Sequence, residues 1–321
     1  MAYIIAEIGF NHDGDLELGK EMIVAAAEAG ANAAKFQTFR ADDILLPTAE
    51  GYADLRRAEI TLDEHMSLAA TAAECGIEFL STPFSLAAVD LLERVGVNSY
   101  KVASMDCTNL HLLGRVADTR KPVYLSTGMA ALEEIGQTVH FLQGTDAGPV
   151  TLMHCMSLYP AEAADINLAM IPLLQKSFGF PVGYSDHFPG TRACLAAVTM
   201  GARVIETHFT LDTRRQGGDH AHSADPEMLR TLIQDIALFE TMRGDEEAAN
   251  QRPDSKFAKH FRRGVYAACD LKKGEILGKD DVLLCRTPTA FAPNDLAWLA
   301  GRELARDVDA YQPIEPGHLA Q

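Results

Sequence analysis

Eight short apolar runs recur between residues 4 and 209, and nearly every one closes on polar or charged side chains: IIAEIG, AAKFQT, EFLSTP, SYKVAS, VYLSTG, VTLMHC, PVGYSD and VIETHF. Runs that are apolar throughout, rather than alternating, read as strands buried on both faces, the situation of a parallel sheet covered by helices. Between them lie helix-length segments rich in Ala, Leu, Glu and Met, such as Leu16 to Ala29, Leu62 to Glu74, Leu132 to Gln143 and Pro226 to Met242. Strand and helix pairs in this order fill residues 3–243. That is close to the roughly 250 residues of a (β/α)8 barrel, in which polar groups converge at the carboxyl ends of the strands. An open doubly wound sheet is the rival architecture. It ranks second because Glu7-Ile8-Gly9-Phe10-Asn11-His12-Asp13-Gly14 lacks the GxGxxG spacing of a dinucleotide turn.

After Arg243 the pattern changes. Residues 244–260 are polar, carry Pro253 and show no strand pattern, which suits a linker. Residues 261–321 read as short β pieces and turns with a helical patch near Asp295 to Gly301. About 60 residues can scarcely support a separate enzyme core, so the segment reads as an accessory to a barrel domain at 1–243. An excess of 45 acidic over 28 basic residues, net −17, argues against binding to nucleic acid or an anionic membrane surface. The six cysteines show no CxxC spacing, so neither a zinc knuckle nor a disulfide framework is signalled. With no signal-peptide pattern and no apolar stretch near the roughly 18 residues a bilayer demands, a cytoplasmic protein is expected.

Several strand-end residues carry possible chemistry. His187 follows the seventh run and His208 lies in the eighth, so adjacent strands could bring two imidazoles onto one divalent ion with positions left open for water and a carbonyl. Ordinary hydrogen-bonded histidines are the alternative. Lys35 and Lys101 are expected to end strands two and four, on otherwise apolar runs where a buried ammonium needs an anionic partner. Thr82, Ser104, Ser126, Ser157 and Ser185 close runs three to seven with hydroxyls able to donate to phosphate oxygens, or to cap the following helices. Glu7 closes the first run, as a proton-transfer group or as a salt-bridge partner of Lys35. Asp106 and Asp219 follow on the same face as possible turn residues.

Taken in order, AEIGFNHDGD, AAKFQTF, FLSTPFS, SYKVAS, YLSTGM, MHCMSLYP, VGYSDH, ETHFTLD and GGDH resemble the sialic acid synthase family over essentially the whole chain. DLKKGEIL and GRELARDV are similar to that family's small β-rich antifreeze-like domain. The resemblance implies a metal-assisted condensation of phosphoenolpyruvate with an open-chain N-acylated hexose, N-acetylmannosamine or a relative. The products would be a nine-carbon 3-deoxy-ulosonic acid and phosphate, released by C–O cleavage. Phosphoenolpyruvate would lie among Lys35, Thr82, Lys101, Ser104, Ser126, Ser157 and Ser185, and the metal on His187 and His208. The expected cofactor is a divalent ion, Mn²⁺ ahead of Mg²⁺ or Co²⁺. Glu7 or metal-bound water would handle protons. Gln37, Asp106, Tyr159 and Asp219 match positions contacting the sugar or the metal's water, and Arg286 matches an arginine delivered across a domain-swapped homodimer.

Departures from the family pattern cluster on the sugar side. Met105 stands for a usual Gly, Gly218 for a usual Pro, and Thr287-Pro288 for Pro-Gly. The connection from Arg40 to Ile60 is shorter than usual, and the N-terminal hairpin of many bacterial members is missing. The acceptor could therefore be a diacetamido-dideoxy hexose, a phosphorylated sugar or another aldehyde. Two other functions compete: a Schiff-base aldolase using Lys101 or Lys35, and a non-catalytic sugar-acid binding protein.

Overall fold

The computed structural model describes residues 1–245, 247, 257 and 260–320. Eight strands form one wholly parallel sheet: β1 Tyr3–Glu7, β2 Ala33–Thr38, β3 Glu78–Pro83, β4 Tyr100–Val102, β5 Val123–Ser126, β6 Val150–Cys155, β7 Val182–Asp186 and β8 Val204–His208. Their order is β3-β2-β1-β8-β7-β6-β5-β4, so the first strand pairs with the last and the sheet curls into a (β/α)8 barrel. Only the β3–β4 seam carries no ladder among the described residues. The outer layer comprises α1 Leu16–Ala29, α2 Ala41–Ile44, α3 Tyr52–Arg57, α4 Leu62–Glu74, α5 Leu86–Val95, α6 Leu110–Ala117, α7 Leu132–Gln143, α8 Met170–Phe178, α9 Arg192–Thr199 and α10 Pro226–Arg243. The short pair α2 and α3 occupies the connection after β2.

Strand alternation sorts each run into two sides. Ile4, Ala6, Ala34 and Phe36 turn outward and bury against the helices, as do Leu125, Leu152 and Ile205. Their neighbours Ile5, Ala33, Leu80, Met153 and Val204 turn inward and fill the amino-terminal half of the barrel, with Tyr3 and Tyr124 stacked at 6.0 Å beside them. Burying each large side chain of this plug contributes roughly 1.5–3 kcal/mol. Gly183 is required there, because a Cβ at that position would collide with Met153 and with the Val204 carbonyl. One layer higher, the same alternation presents Glu7, Lys35, Thr82, Cys155, Ser185 and Glu206. An apolar floor thus carries a charged second storey.

Residues 1–242 form one compact unit and residues 243–321 another. Apart from residues 244, 245, 247, 257 and 260, the linker expected at 244–260 lies outside the described residues. In the second unit β9 Arg263–Ala267 and β10 Val282–Arg286 pair antiparallel. Val265, Ala267, Leu271, Leu277, Leu299, Leu304, Val308 and Ile314 form its own core.

Candidate active site

The carboxyl end of the barrel opens into a cavity of about 390 Å³. Register explains its floor: the Cα of Glu7 pairs with that of Lys35 on one side and that of His208 on the other. Lys35 Nζ lies 2.8 Å from Glu7 Oε2 and 3.6 Å from Glu206 Oε2, and donates to Thr82 Oγ1 at 3.1 Å. Lys101 Nζ donates to Ser126 Oγ at 2.6 Å and stands 3.7 Å from Glu206 Oε1. Ser185 Oγ donates to the same Oε1 at 2.8 Å, and Gln37 Nε2 donates to Glu7 Oε1 at 3.0 Å. Both lysines lie within their strands rather than at the ends, which buries them deeply.

Electrostatics follow from that burial. Desolvation pushes the Glu7 carboxyl up to about 7, with Lys35 opposing it and Glu206 reinforcing it. Desolvation also penalises the Lys35 ammonium, but Glu206 and Glu7 outweigh it and hold Lys35 above its ordinary value. Lys101 is held below, because desolvation and the nearby Lys35 together exceed the help from Glu206. Glu206 is desolvated too, yet Lys101 and Lys35 keep it ionised. Thr82, Ser126 and Ser185 serve these charged groups; the helices after β2 and β3 take their hydroxyl caps from Thr61 and Ser85 instead.

A histidine wall rises over β7 and β8. The ring centroids of His187 and His208 are 5.3 Å apart, and those of His208 and His222 5.2 Å. Tyr159 packs against His187 at 4.1 Å and also touches the other two rings. His187 Nδ1 donates to the Met156 carbonyl at 2.6 Å, leaving Nε2 as the lone-pair nitrogen while the ring is neutral. Burial pushes His187 down to about 4 and His208 well below the usual range, so both rings are neutral and able to accept a cation. His208 Nδ1 and His222 Nε2 are buried without hydrogen-bond partners and face Asp219 Oδ2 and Oδ1 at 3.4 and 3.6 Å. His208, Asp219 and His222 each offer a donor atom within 4.8 Å of the others. Two imidazoles and a carboxylate suit a divalent transition ion, so the residues present fit one.

Of the residues named from sequence, Glu7, Lys35, Gln37, Thr82, Lys101, Ser104, Ser126, Ser157, Tyr159, Ser185, His187, His208 and Asp219 all line this cavity. Asp106 does not line it, being turned aside by the 3-10 turn Ser104–Asp106 and held by Asn109 Nδ2; Arg286 is exposed on β10 of the second unit. Sequence reasoning missed Glu206, although Glu206 and His208 are two apart on one strand and so share a face. It also missed Cys155, whose Sγ lies 2.9 Å from Ser104 Oγ, and His222, which no strand carries. The rim is divided: Phe10, Ile44, Leu55, Phe84, Met105 and Met129 give an apolar collar after β1 to β5, while the polar groups lie after β6 to β8.

Two lysines, two carboxylates and a histidine wall gathered at the carboxyl ends of the strands stand where a (β/α)8 barrel enzyme carries its active site. The chain belongs to the NeuB family, whose model matches residues 22–248, and a SAF domain follows at residues 262–320. It is 38% identical to the N,N'-diacetyllegionaminic acid synthase of Legionella pneumophila over 96% of this chain and 92% of the relative. Identity to a pseudaminic acid synthase of Campylobacter jejuni is 31%, over 98% and 96% of the two chains. Among solved structures, the N-acetylneuraminic acid synthetase of Leptospira borgpetersenii in complex with citrate superposes with a TM-score of 0.76. It is 35% identical and covers 80% of this chain and 91% of that one.

Proposed function

We propose that the enzyme condenses phosphoenolpyruvate with an open-chain N-acylated hexose and water, giving a nine-carbon 3-deoxy-ulosonic acid and phosphate. The observation that carries this reading is the buried pair Lys35 and Lys101, bridged by Glu206 and ringed by Thr82, Ser126 and Ser185 beneath a histidine wall. Two ammoniums and aimed hydroxyls suit a small dianion carrying both carboxylate and phosphate. Ser104 and Ser157 extend the hydroxyl ring along the cavity wall.

In this reading C3 of phosphoenolpyruvate forms a bond to the sugar's aldehyde carbon, water adds at C2, and the C2–O bond to phosphate breaks. Lys35 and Lys101 hold the anion and meet the charge of departing phosphate. Glu7, poised by burial near neutrality and oriented by Gln37, holds or gives up the proton exchanged with water or the new hydroxyl. Tyr159 fixes the His187 ring and closes the cavity above it. A divalent ion held by His208 and its neighbours would supply Lewis-acid polarisation of a carbonyl oxygen.

The collar bears on the acceptor. Lys35 and Lys101 are the only Lys or Arg among the described lining residues, and both are committed to the floor. Among the described residues of one barrel a sugar phosphate would find no cation at the rim, whereas Phe10, Ile44, Leu55, Phe84, Met105 and Met129 suit acyl methyls and a deoxy carbon. An N-acylated deoxy hexose is the acceptor we favour. Arg286 of a second copy would complete the sugar site, as the family resemblance implies.

The test is a panel of N-acylated aldoses with phosphoenolpyruvate, read by phosphate release and product mass. No phosphate release with any acceptor in the presence of Mn²⁺ would sink the synthase reading. The lowered Lys101 favours one competing reading, an imine-forming aldolase. Borohydride with pyruvate and excess chelator is expected to leave the protein unlabelled; a Lys101 adduct would favour the aldolase.

A further inference from the structure

A second cavity, of about 450 Å³, adjoins the reaction cavity, and Phe10 and Leu55 line both. Its other walls come from the connection after β1, from α3 and from residues 216–218 after β8. Two of those stretches are where the chain departs from its family's pattern: the short connection from Arg40 to Ile60, and Gly218 in place of a proline. Close approach of backbone shapes the walls. Gly14, at φ +77°, lies so near α3 that a Cβ would stand 2.2 Å from the Arg57 carbonyl oxygen. Gly218 has φ +52°, a path that proline, fixed near −65°, cannot take, and a Cβ there would stand 2.8 Å from Asn11 Oδ1.

The chemistry of the second cavity changes with depth. The shared wall is apolar: the Phe10 ring is held edge-on by Phe39 at 5.6 Å, and Leu55 comes from α3, a short helix that buries none of its residues. Past that wall the lining is polar and balanced in charge. Arg57 Nη2 pairs with Asp54, and Asp13 Oδ2 accepts from Arg215 Nη2 at 2.7 Å, so each carboxylate has its own guanidinium. The exposed Gln216 amide has no hydrogen-bond partner among the described residues. An anion entering here would meet two carboxylates as well as Arg57. A neutral hydroxyl suits the walls better, since it donates to a carboxylate and accepts from the remaining N–H groups of Arg57 or from Gln216.

We propose that this cavity receives the far end of the acceptor's N-acyl group, and that the group it selects is an acyl chain longer than acetyl ending in a neutral hydroxyl. The methylenes of such a chain cross the apolar wall of Phe10 and Leu55, and the hydroxyl is received among Asp54, Arg57 and Gln216. An acetyl group is too short to reach past a layer of side chains and would leave the polar lining to water. The proposal rests on the synthase reading for the sugar that carries the acyl chain, but not for the cavity's preference for the chain's end.

The experiment compares N-acetyl-, N-butanoyl-, N-(4-hydroxybutanoyl)- and N-succinylmannosamine as acceptors with phosphoenolpyruvate and Mn²⁺, read by phosphate release. KM for the hydroxybutanoyl acceptor should lie about fivefold or more below those for the butanoyl and succinyl acceptors, the effect of one net hydrogen bond. Arg57→Ala and Gln216→Ala should bring the hydroxybutanoyl and butanoyl values within about twofold of each other, with KM for the N-acetyl acceptor and for phosphoenolpyruvate within about twofold of the wild type. A difference that survives in both variants would overturn the proposal, as would a preference for the succinyl acceptor or a KM that rises from acetyl to butanoyl to hydroxybutanoyl. Calorimetry with the four corresponding alditols, which lack the aldehyde and cannot react, reads the same preference as binding alone. Tighter binding of the hydroxybutanoyl alditol, lost in both variants, with no phosphate released from any acceptor would sink the synthase reading and leave this one standing. Phosphate release with the N-acetyl acceptor and no preference among the longer chains would do the reverse.

Discussion

Glu7 shows how burial sets chemistry at a single side chain. Desolvation outweighs Lys35 and pushes its carboxyl up to about 7. An arriving carboxylate and phosphate disfavour the charged form further, so phosphoenolpyruvate binds with proton uptake, and its affinity should fall as pH rises through 7. Above about pH 7 the phosphate itself is already fully ionised, its second pKa being about 6. Calorimetry from pH 7 to 8.5 should show the dissociation constant rising by up to tenfold per unit, with a flat profile in Glu7→Gln. Affinity that improves with pH in the wild type would contradict this assignment. Legibility at this scale depended on position along a strand. Lys35, Lys101, Thr82 and Ser126 were visible because a polar residue on an apolar run demands a partner. Glu206 was equally visible by alternation and was passed over beside His208. His222 was not visible, because only the buried bonds of Asn11, Ser223 and Thr210 bring that loop under the histidine wall.

The strands supply the anion floor, whereas the connections supply the collar. The stretch from Arg40 to Ile60 folds as α2 and α3 and sends Ile44 and Leu55 into the cavity. Thr61 then starts α4 with a reciprocal cap, its hydroxyl accepting from the Glu64 amide while Glu64 accepts from the Thr61 amide. Replacing Leu55 by Ser should raise KM for an N-acylated deoxy acceptor by about tenfold, the loss of roughly 1.4 kcal/mol expected from a half-buried apolar contact. KM for phosphoenolpyruvate should stay within twofold. A parallel rise in both constants would show that α3 supports the floor rather than the acceptor. The alternation of apolar runs and helices made the barrel legible, since each run is a strand buried on both faces. The collar was less so, because Phe10, Phe84, Met105 and Met129 lie beyond strand ends and no periodicity fixes where such residues point.

At the scale of the whole molecule the chain is two units with separate cores, and no described helix is long and apolar enough to cross a membrane. Arg286 stands exposed on β10, its guanidinium over the Phe261 ring at 5.2 Å. If a second copy presents it to the barrel, mixing Arg286→Ala protein with Lys101→Ala protein should restore up to a quarter of wild-type activity by random exchange of subunits. No recovery despite demonstrated exchange would place each complete site within one chain. Among the described residues the barrel has one seam without ladder bonds, between β3 and β4. A closed ring of strands opens where it is least tied, and β4, only three residues long, carries Lys101 at its centre. Deuterium uptake should therefore reach Tyr100–Val102 before any other barrel strand. An anion seated between Lys35 and Lys101 would bridge that gap from inside, so substrate should slow exchange there more than at β6 or β7: the ligand would serve as the stave the sheet lacks.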